Sequence, residues 1–134
     1  MNFKWLPQMS VNVREIDDQH RTFVGICNEL YAIEAAVSPR DLLAALLAKL
    51  TSYAQFHFAT EEKYFAPFNY AGAADHVALH RGLTARIEEL RWRFLLTNED
   101  VSGELAWLAA DWLINHLERE DKKYTQCFNE HGLF

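Results

Sequence analysis

The chain has 134 residues, half of them apolar, and 13 Lys plus Arg against 19 Asp plus Glu, for a formal net charge of −6. That size and composition predict one soluble domain able to bury a core without disulfides or a partner chain. The acidic balance, with no dense Lys/Arg cluster, excludes a nucleic-acid surface or an anionic-membrane surface, both of which need positive charge facing phosphates.

The longest apolar run, Leu42 to Ala48, is seven residues, far short of the roughly 20 that span a bilayer, so no membrane insertion is expected. The N-terminal residues Met-Asn-Phe-Lys-Trp-Leu-Pro lack the apolar stretch of a secretory signal, and a cytoplasmic location is the expectation. Cys27 and Cys127 are far apart and form no Cys-x-x-Cys, which reads as two packing thiols rather than a redox or metal pair.

No repeat or low-complexity tract is present, and Pro7, Pro39 and Pro67 punctuate the chain. Residues 1–16 carry Phe3, Trp5, Leu6, Val11, Val13 and Ile16 without a helical period and read as an N-terminal arm packed against the helices. Asp17 and Asp18 are candidate caps of a first helix, with the stripe His20, Phe23, Cys27, Leu30 and Tyr31 at three- and four-residue steps. Ser38-Pro39 with Asp41 signals the start of a second, whose stripe is Leu42, Leu46, Leu50, Tyr53, His57, Glu61 and Tyr64, ending at Pro67. Asn69–Ala74 is a turn into a third helix with His76, His80, Leu83, Ile87, Leu90 and Phe94. The polar Thr97–Asp100 stretch caps a fourth, with Val101, Leu105, Trp112, Leu113, Leu117, Tyr124 and Phe128, fraying near Gly132. Four amphipathic helices joined by short loops predict an all-α, antiparallel up-down-up-down four-helix bundle over 17–131, and no strand pattern competes with it.

The stripes stop being apolar at one level. His57 and Glu61 are four apart and share a helix face, His76 and His80 repeat that geometry, and His20 and His116 project from the first and fourth helices. A single inward histidine is usually a satisfied core residue, but five of the chain's six at one stratum, together with a carboxylate, point to metal, because stranding such groups costs several kcal/mol. His131 lies beyond the helical pattern, and Glu62, turned about 100° from Glu61, reads as a solvated charge. Imidazole with carboxylate suits Fe, Zn, Cu or Ni rather than Mg or Ca, and the missing Cys cluster disfavours structural zinc. Five histidines exceed one tetrahedral ion, so the donor set suggests a dinuclear iron site bridged by carboxylates. Glu61 is one bridge. The other belongs to the fourth helix, where both Glu120 (four after His116) and Asp121 (five after) border the inward face, and spacing alone favours Glu120.

With these residues in view the sequence resembles the hemerythrin family, in its bacterial single-domain form, over nearly the whole chain. The resemblance is carried by Trp5, Ile16-Asp17-Asp18-Gln19-His20, His57-Phe58-Ala59-Thr60-Glu61-Glu62, His76 with His80, and His116 followed by Asp121. It implies Asp121 as the second bridge. It also implies one iron on His76, His80 and His116, a second on His20 and His57, and bridging by Glu61, Asp121 and an oxo or hydroxo group. The second iron would keep an open position for reversible O2 binding, with Trp112 and Leu113 matching family positions that help form an apolar oxygen pocket. The arm departs from the family where Ser10-Val11-Asn12-Val13 replaces a glycine-containing segment.

The same resemblance implies an oxygen carrier or store rather than an enzyme, with O2 as ligand and an oxygen-consuming enzyme as recipient. Five imidazoles with two carboxylates disfavour high-valent iron, and the motif leaves no spare acid or base to cleave an O–O bond. The four helices account for the chain, so sensing would require a separate signalling partner. A ferritin-like di-iron oxidase on the same bundle would use Glu-x-x-His pairs and a zinc hydrolase His-Glu-x-x-His. Neither motif is present. A helical interaction module with a merely structural metal is the remaining alternative.

Overall fold

The computed structural model describes residues 2–33 and 39–134. The expected start signal at Ser38 therefore lies outside the described residues. Four helical rods are laid down in chain order: α1 (Arg14–Tyr31), α2 (Pro39–Phe65), α3 (Ala73–Thr97), and a last rod that begins as α4 (Ser102–Asp111). That last rod continues through a π-helical stretch (Trp112–Glu120) and a 3-10 turn (Asp121–Tyr124) into α5 (Thr125–Glu130), without leaving right-handed helical backbone. Each rod packs on its neighbours in sequence, and the fourth closes the ring on α1. The result is the predicted all-α four-helix bundle. Among the described residues no helix is long and apolar enough to cross a membrane.

The stops follow local chemistry. α2 ends at Phe65, two residues before Pro67, because the residue preceding a proline is pushed out of the α region. α3 ends on Asn98 in the left-handed conformation (φ 58°) that terminates helices. The Asp100 carboxylate accepts from the Ser102 amide (3.0 Å) and hydroxyl (2.7 Å), covering the start of α4 from the polar loop. Gly132, at φ +83°, closes the last turn after Glu130.

One expected boundary moves. The first helix begins at Arg14 instead of Asp17, and Asp17 is not its cap. The Asp17 carboxylate turns back into the arm, accepting from the Ser10 hydroxyl (2.6 Å) and the Val11 amide (2.9 Å). Asp18 is exposed and pairs with Arg21 at 2.9 Å. The arm is drawn inward by Val11, Val13 and Ile16, all fully buried, and helix formation begins as soon as those residues are seated.

The core has two parts. The larger is aliphatic and fills one end of the bundle with Leu46, Leu47, Leu50, Leu83, Ile87, Leu90, Leu105, Leu113 and Leu117, joined by Phe23, Cys27 and Leu30 of α1. Each such side chain contributes about 1.5–3 kcal/mol by leaving water. The smaller is largely aromatic and closes the other end with Val11, Val13 and Ile16 of the arm and first turn against Phe65, Tyr124 and Phe128. Along α1 the sequence passes from Ile16 of the small cluster to Phe23 of the large one, and His20 stands between them. The same interval recurs on every rod, and it holds the polar residues.

Candidate metal centre

Seven buried residues from four rods meet in that interval: His20 on α1, His57 and Glu61 on α2, His76 and His80 on α3, and His116 and Asp121 on the fourth rod, none more than 3 % exposed. The i,i+4 spacing on α2 and α3 puts both members of each pair on one face, as their spacing predicts. The fourth rod does it differently. The Asp121 amide donates to the His116 carbonyl, the i to i+5 bond of a π-helix. In that winding, residues five apart share a face, so Asp121 points inward (1 % exposed). Glu120 faces outward to Lys123 at 2.9 Å. Spacing judged on an α-helical period favours Glu120 only because the local period differs.

Inside, imidazole Nε2 atoms face carboxylate oxygens. Glu61 Oε1 lies 3.0 Å from His57 and 3.3 Å from His80. Asp121 Oδ1 lies 3.0 Å from His76 and 2.9 Å from His116, and its Oδ2 lies 3.1 Å from His20. His20 and His57 bring their Nε2 atoms to 3.1 Å of each other. Several of these contacts have the length of a hydrogen bond without its direction. Both oxygens of each carboxylate, and the Nε2 atoms of His76, His80 and His116, are sealed from solvent and lack a hydrogen-bonded partner. Unsatisfied buried polar atoms are rare and costly, and among the described residues nearly all of those on side chains are gathered at this one place.

The charge does not balance either. The groups within 4 Å that pair with Glu61 and Asp121 are histidines, with no Lys or Arg among the described residues. Burial and the nearby Asp121 oppose ionisation of Glu61, yet the imidazoles of His57 and His80 outweigh them and hold its carboxyl below the usual range. Asp121 is held well below its ordinary value by His116, His20 and His76, against the desolvation it suffers. Burial pushes His116 towards the neutral form. Two carboxylates and five imidazoles that converge with most of their inward-facing atoms unpaired are a donor set for cations.

The donors fall into two groups, each mutually within 4.8 Å. Glu61, His76, His80, His116 and Asp121 form one, and His20, His57, Glu61 and Asp121 form the other. The two carboxylates belong to both. The residues therefore fit two cations sharing two carboxylates, one facing three imidazoles and the other two. Imidazole and carboxylate donors suit first-row transition metals.

Aromatic rings wall the site. Phe58 stacks on His80 at 3.8 Å, Trp112 on His116 at 3.7 Å, and Tyr53 on His57 at 5.4 Å. Trp112 is thus set against the three-imidazole group, while Leu113 is 1 % exposed in the aliphatic cluster. His131 lies outside the site, exposed and stacked on Phe68 at 4.7 Å. Both cysteines are free thiols, Cys27 buried in the aliphatic cluster.

Glu62 departs from the solvated charge its position suggests, because its carboxylate accepts from His80 Nδ1 at 2.7 Å. Gln19 does the same for His57 Nδ1 at 2.6 Å. The helical pattern assigns neither a role, although a metal-facing imidazole commonly has an acceptor behind it, and each stands next to a ligand in the sequence. Tyr124, which the pattern places in the core, is fully buried, and its hydroxyl has no hydrogen-bond partner. Burial, followed by the Glu61 and Asp121 carboxylates, raises that phenol well above its ordinary value.

The fold and site together define a helical-bundle metalloprotein of the class that gathers histidines and shared carboxylates between four helices. The family model for the hemerythrin HHE cation binding domain matches residues 11–127, and the chain belongs to the hemerythrin family. It is 31 % identical over 122 residues to a bacteriohemerythrin of Methylococcus capsulatus, covering 91 % of this chain and 92 % of that one. A bacteriohemerythrin of Stenotrophomonas maltophilia is 28 % identical over 127 residues, with 95 % and 82 % covered. A hemerythrin polypeptide of Sipunculus nudus is 31 % identical over 122 residues, with 91 % and 90 % covered. The solved structure of a hemerythrin carrying a leucine-to-tyrosine substitution superposes with a TM-score of 0.87 at 29 % identity, over 95 % of this chain and 98 % of that one.

Proposed function

We propose that this single domain binds dioxygen reversibly at a di-iron centre, as a cytoplasmic oxygen carrier or store and not as an enzyme. The observation that carries the reading is the unequal division of donors, three imidazoles against two around the same pair of carboxylates. His76, His80 and His116 would hold one iron, His20 and His57 the other, and Glu61 and Asp121 would bridge them together with a solvent-derived oxo or hydroxo group. With one protein ligand fewer, the His20–His57 side offers the free position for O2. A ferrous pair supplies reversible electron donation to dioxygen.

The chain's own contribution is orientation and the exclusion of water. The aromatic stacks hold the imidazoles edge-on to the centre, and the two apolar clusters seal the stratum from both ends. Trp112 and Leu113 contribute to the apolar wall of the oxygen pocket. An oxygen-consuming enzyme is the expected recipient, and two unbridged thiols suit a reducing compartment.

Iron content and the visible spectrum of the anaerobically reduced protein, recorded before oxygen, after oxygen and after degassing, test this. The expected result is about two irons per chain and a band that appears with oxygen and fades on its removal. Zinc alone would indicate a structural site. A band that forms irreversibly while a substrate is consumed would indicate an oxidase.

A further inference from the structure

Acceptors of different charge stand behind two of the five imidazoles. On the two-imidazole side, Thr60 donates its hydroxyl to the Phe56 carbonyl at 3.0 Å, and its Oγ1 accepts from the Gln19 side-chain amide at 3.1 Å. That donation fixes which end of the amide faces inward, so Gln19 Oε1 accepts from His57 Nδ1 at 2.6 Å. An amide oxygen can only accept, so His57 Nδ1 carries a proton, and Nε2, which faces Glu61, is the nitrogen left for a metal. On the three-imidazole side, Glu62 Oε2 lies 2.7 Å from His80 Nδ1, which enforces the same tautomer through a carboxylate. Glu62 is 35 % exposed and His80 only 2 %, so this contact runs from the solvent-facing edge of α2 into the sealed interior.

The construction is repeated. Gln19 sits next to His20 on α1 and reaches across to an imidazole of α2, while Glu62 sits next to Glu61 on α2 and reaches across to one of α3. Each imidazole is held from a second direction by a stacked ring, Tyr53 on His57 and Phe58 on His80. We propose that Gln19 and Glu62 are positioning residues that lock His57 and His80 in the tautomer able to bind metal through Nε2, and that their unequal charge makes the three-imidazole subsite the stronger electron donor. A charged acceptor draws on the Nδ1 proton more strongly than a neutral amide and makes the opposite nitrogen more basic. The inference deepens the di-iron reading and rests on it.

The first test is the nitrogen-15 spectrum of the histidines in the metal-free protein, with His57 and His80 both expected as the Nδ1-protonated tautomer. In Glu62→Ala, His80 becomes a mixture of tautomers and ferrous-iron affinity falls about 10–100-fold. Glu62→Gln keeps the acceptor but not the charge, so the tautomer stays fixed while the midpoint potential of the iron-loaded protein moves positive. Gln19→Glu moves it negative. Wild-type tautomer and affinity in Glu62→Ala, or an unmoved potential in both charge-changing variants, overturns the inference. A wild-type chain that takes up no iron overturns the di-iron reading instead, and the tautomer measurement still decides the positioning roles.

Discussion

The aliphatic end of the bundle and the polar stratum are built from the same helices, often one turn apart, and they obey opposite rules. At the aliphatic end every buried group is satisfied by contact alone: Leu50, Leu83, Ile87, Leu90 and Leu105 need only be apolar and of the right volume. In the stratum, the carboxylates and several imidazole nitrogens are buried without hydrogen bonds, which by itself disfavours folding. The aliphatic end therefore provides stability that the stratum draws on. The stratum is arranged for something that arrives later.

The largest expected effect comes from removing a carboxylate that belongs to both donor groups. Asp121→Ala should reduce bound iron from about two per chain to below one, since both subsites lose a ligand, whereas Glu120→Ala should leave iron content unchanged. Metal analysis of the two purified variants checks this, and equal losses would break the distinction between inward and outward positions. Leu90→Ala, at a fully buried aliphatic position, should cost roughly 2–5 kcal/mol in urea unfolding while leaving iron stoichiometry intact. A drop in stoichiometry there would mean that the two regions are not separable.

Chelation gives a smaller effect. The metal-free chain should stay helical by circular dichroism, and free metal at about a hundred times its dissociation constant should restore about 2.7 kcal/mol. Collapse on chelation would assign the stabilising role to the stratum after all. The smallest effect is chemical. Burial raises the Cys27 thiol to about 12 within the aliphatic cluster, so it should resist thiol reagents in the native protein under mildly alkaline conditions. Cys127, half-buried beside the aromatic cluster, should react, and counting reactive thiols before and after unfolding checks the contrast.

Most of the bundle is legible in the sequence because burial imposes a period. The run His76, His80, Leu83, Ile87, Leu90 and Phe94 can be read directly, and all six are buried. The two i,i+4 pairs are legible for the same reason, with polar residues standing where the period demands apolar ones. Three things are not. The choice between Glu120 and Asp121 cannot be made from spacing, because an α-helical period does not apply where the backbone is wound to i+5. Gln19 and Glu62 sit at the flanks of their helices, and pattern alone cannot distinguish a flank residue that reaches inward from one that faces water. Arg14 begins α1 because the arm residues Val11 and Val13 are anchored by burial and by Asp17, contacts that leave no periodic trace.

The π-helical stretch has a consequence beyond aiming Asp121. Every residue inserted into or removed from a helix changes the phase of everything downstream by about 100°. The i+5 turn takes up one residue that an α-helical winding would leave out of phase, so that Asp121, Tyr124 and Phe128 all face inward beyond it. The wide turn therefore acts as a phase adjuster between two lattices of contacts. The register that orders the metal ligands and the register that closes the aromatic end differ by a fraction of a turn, and those nine residues reconcile them.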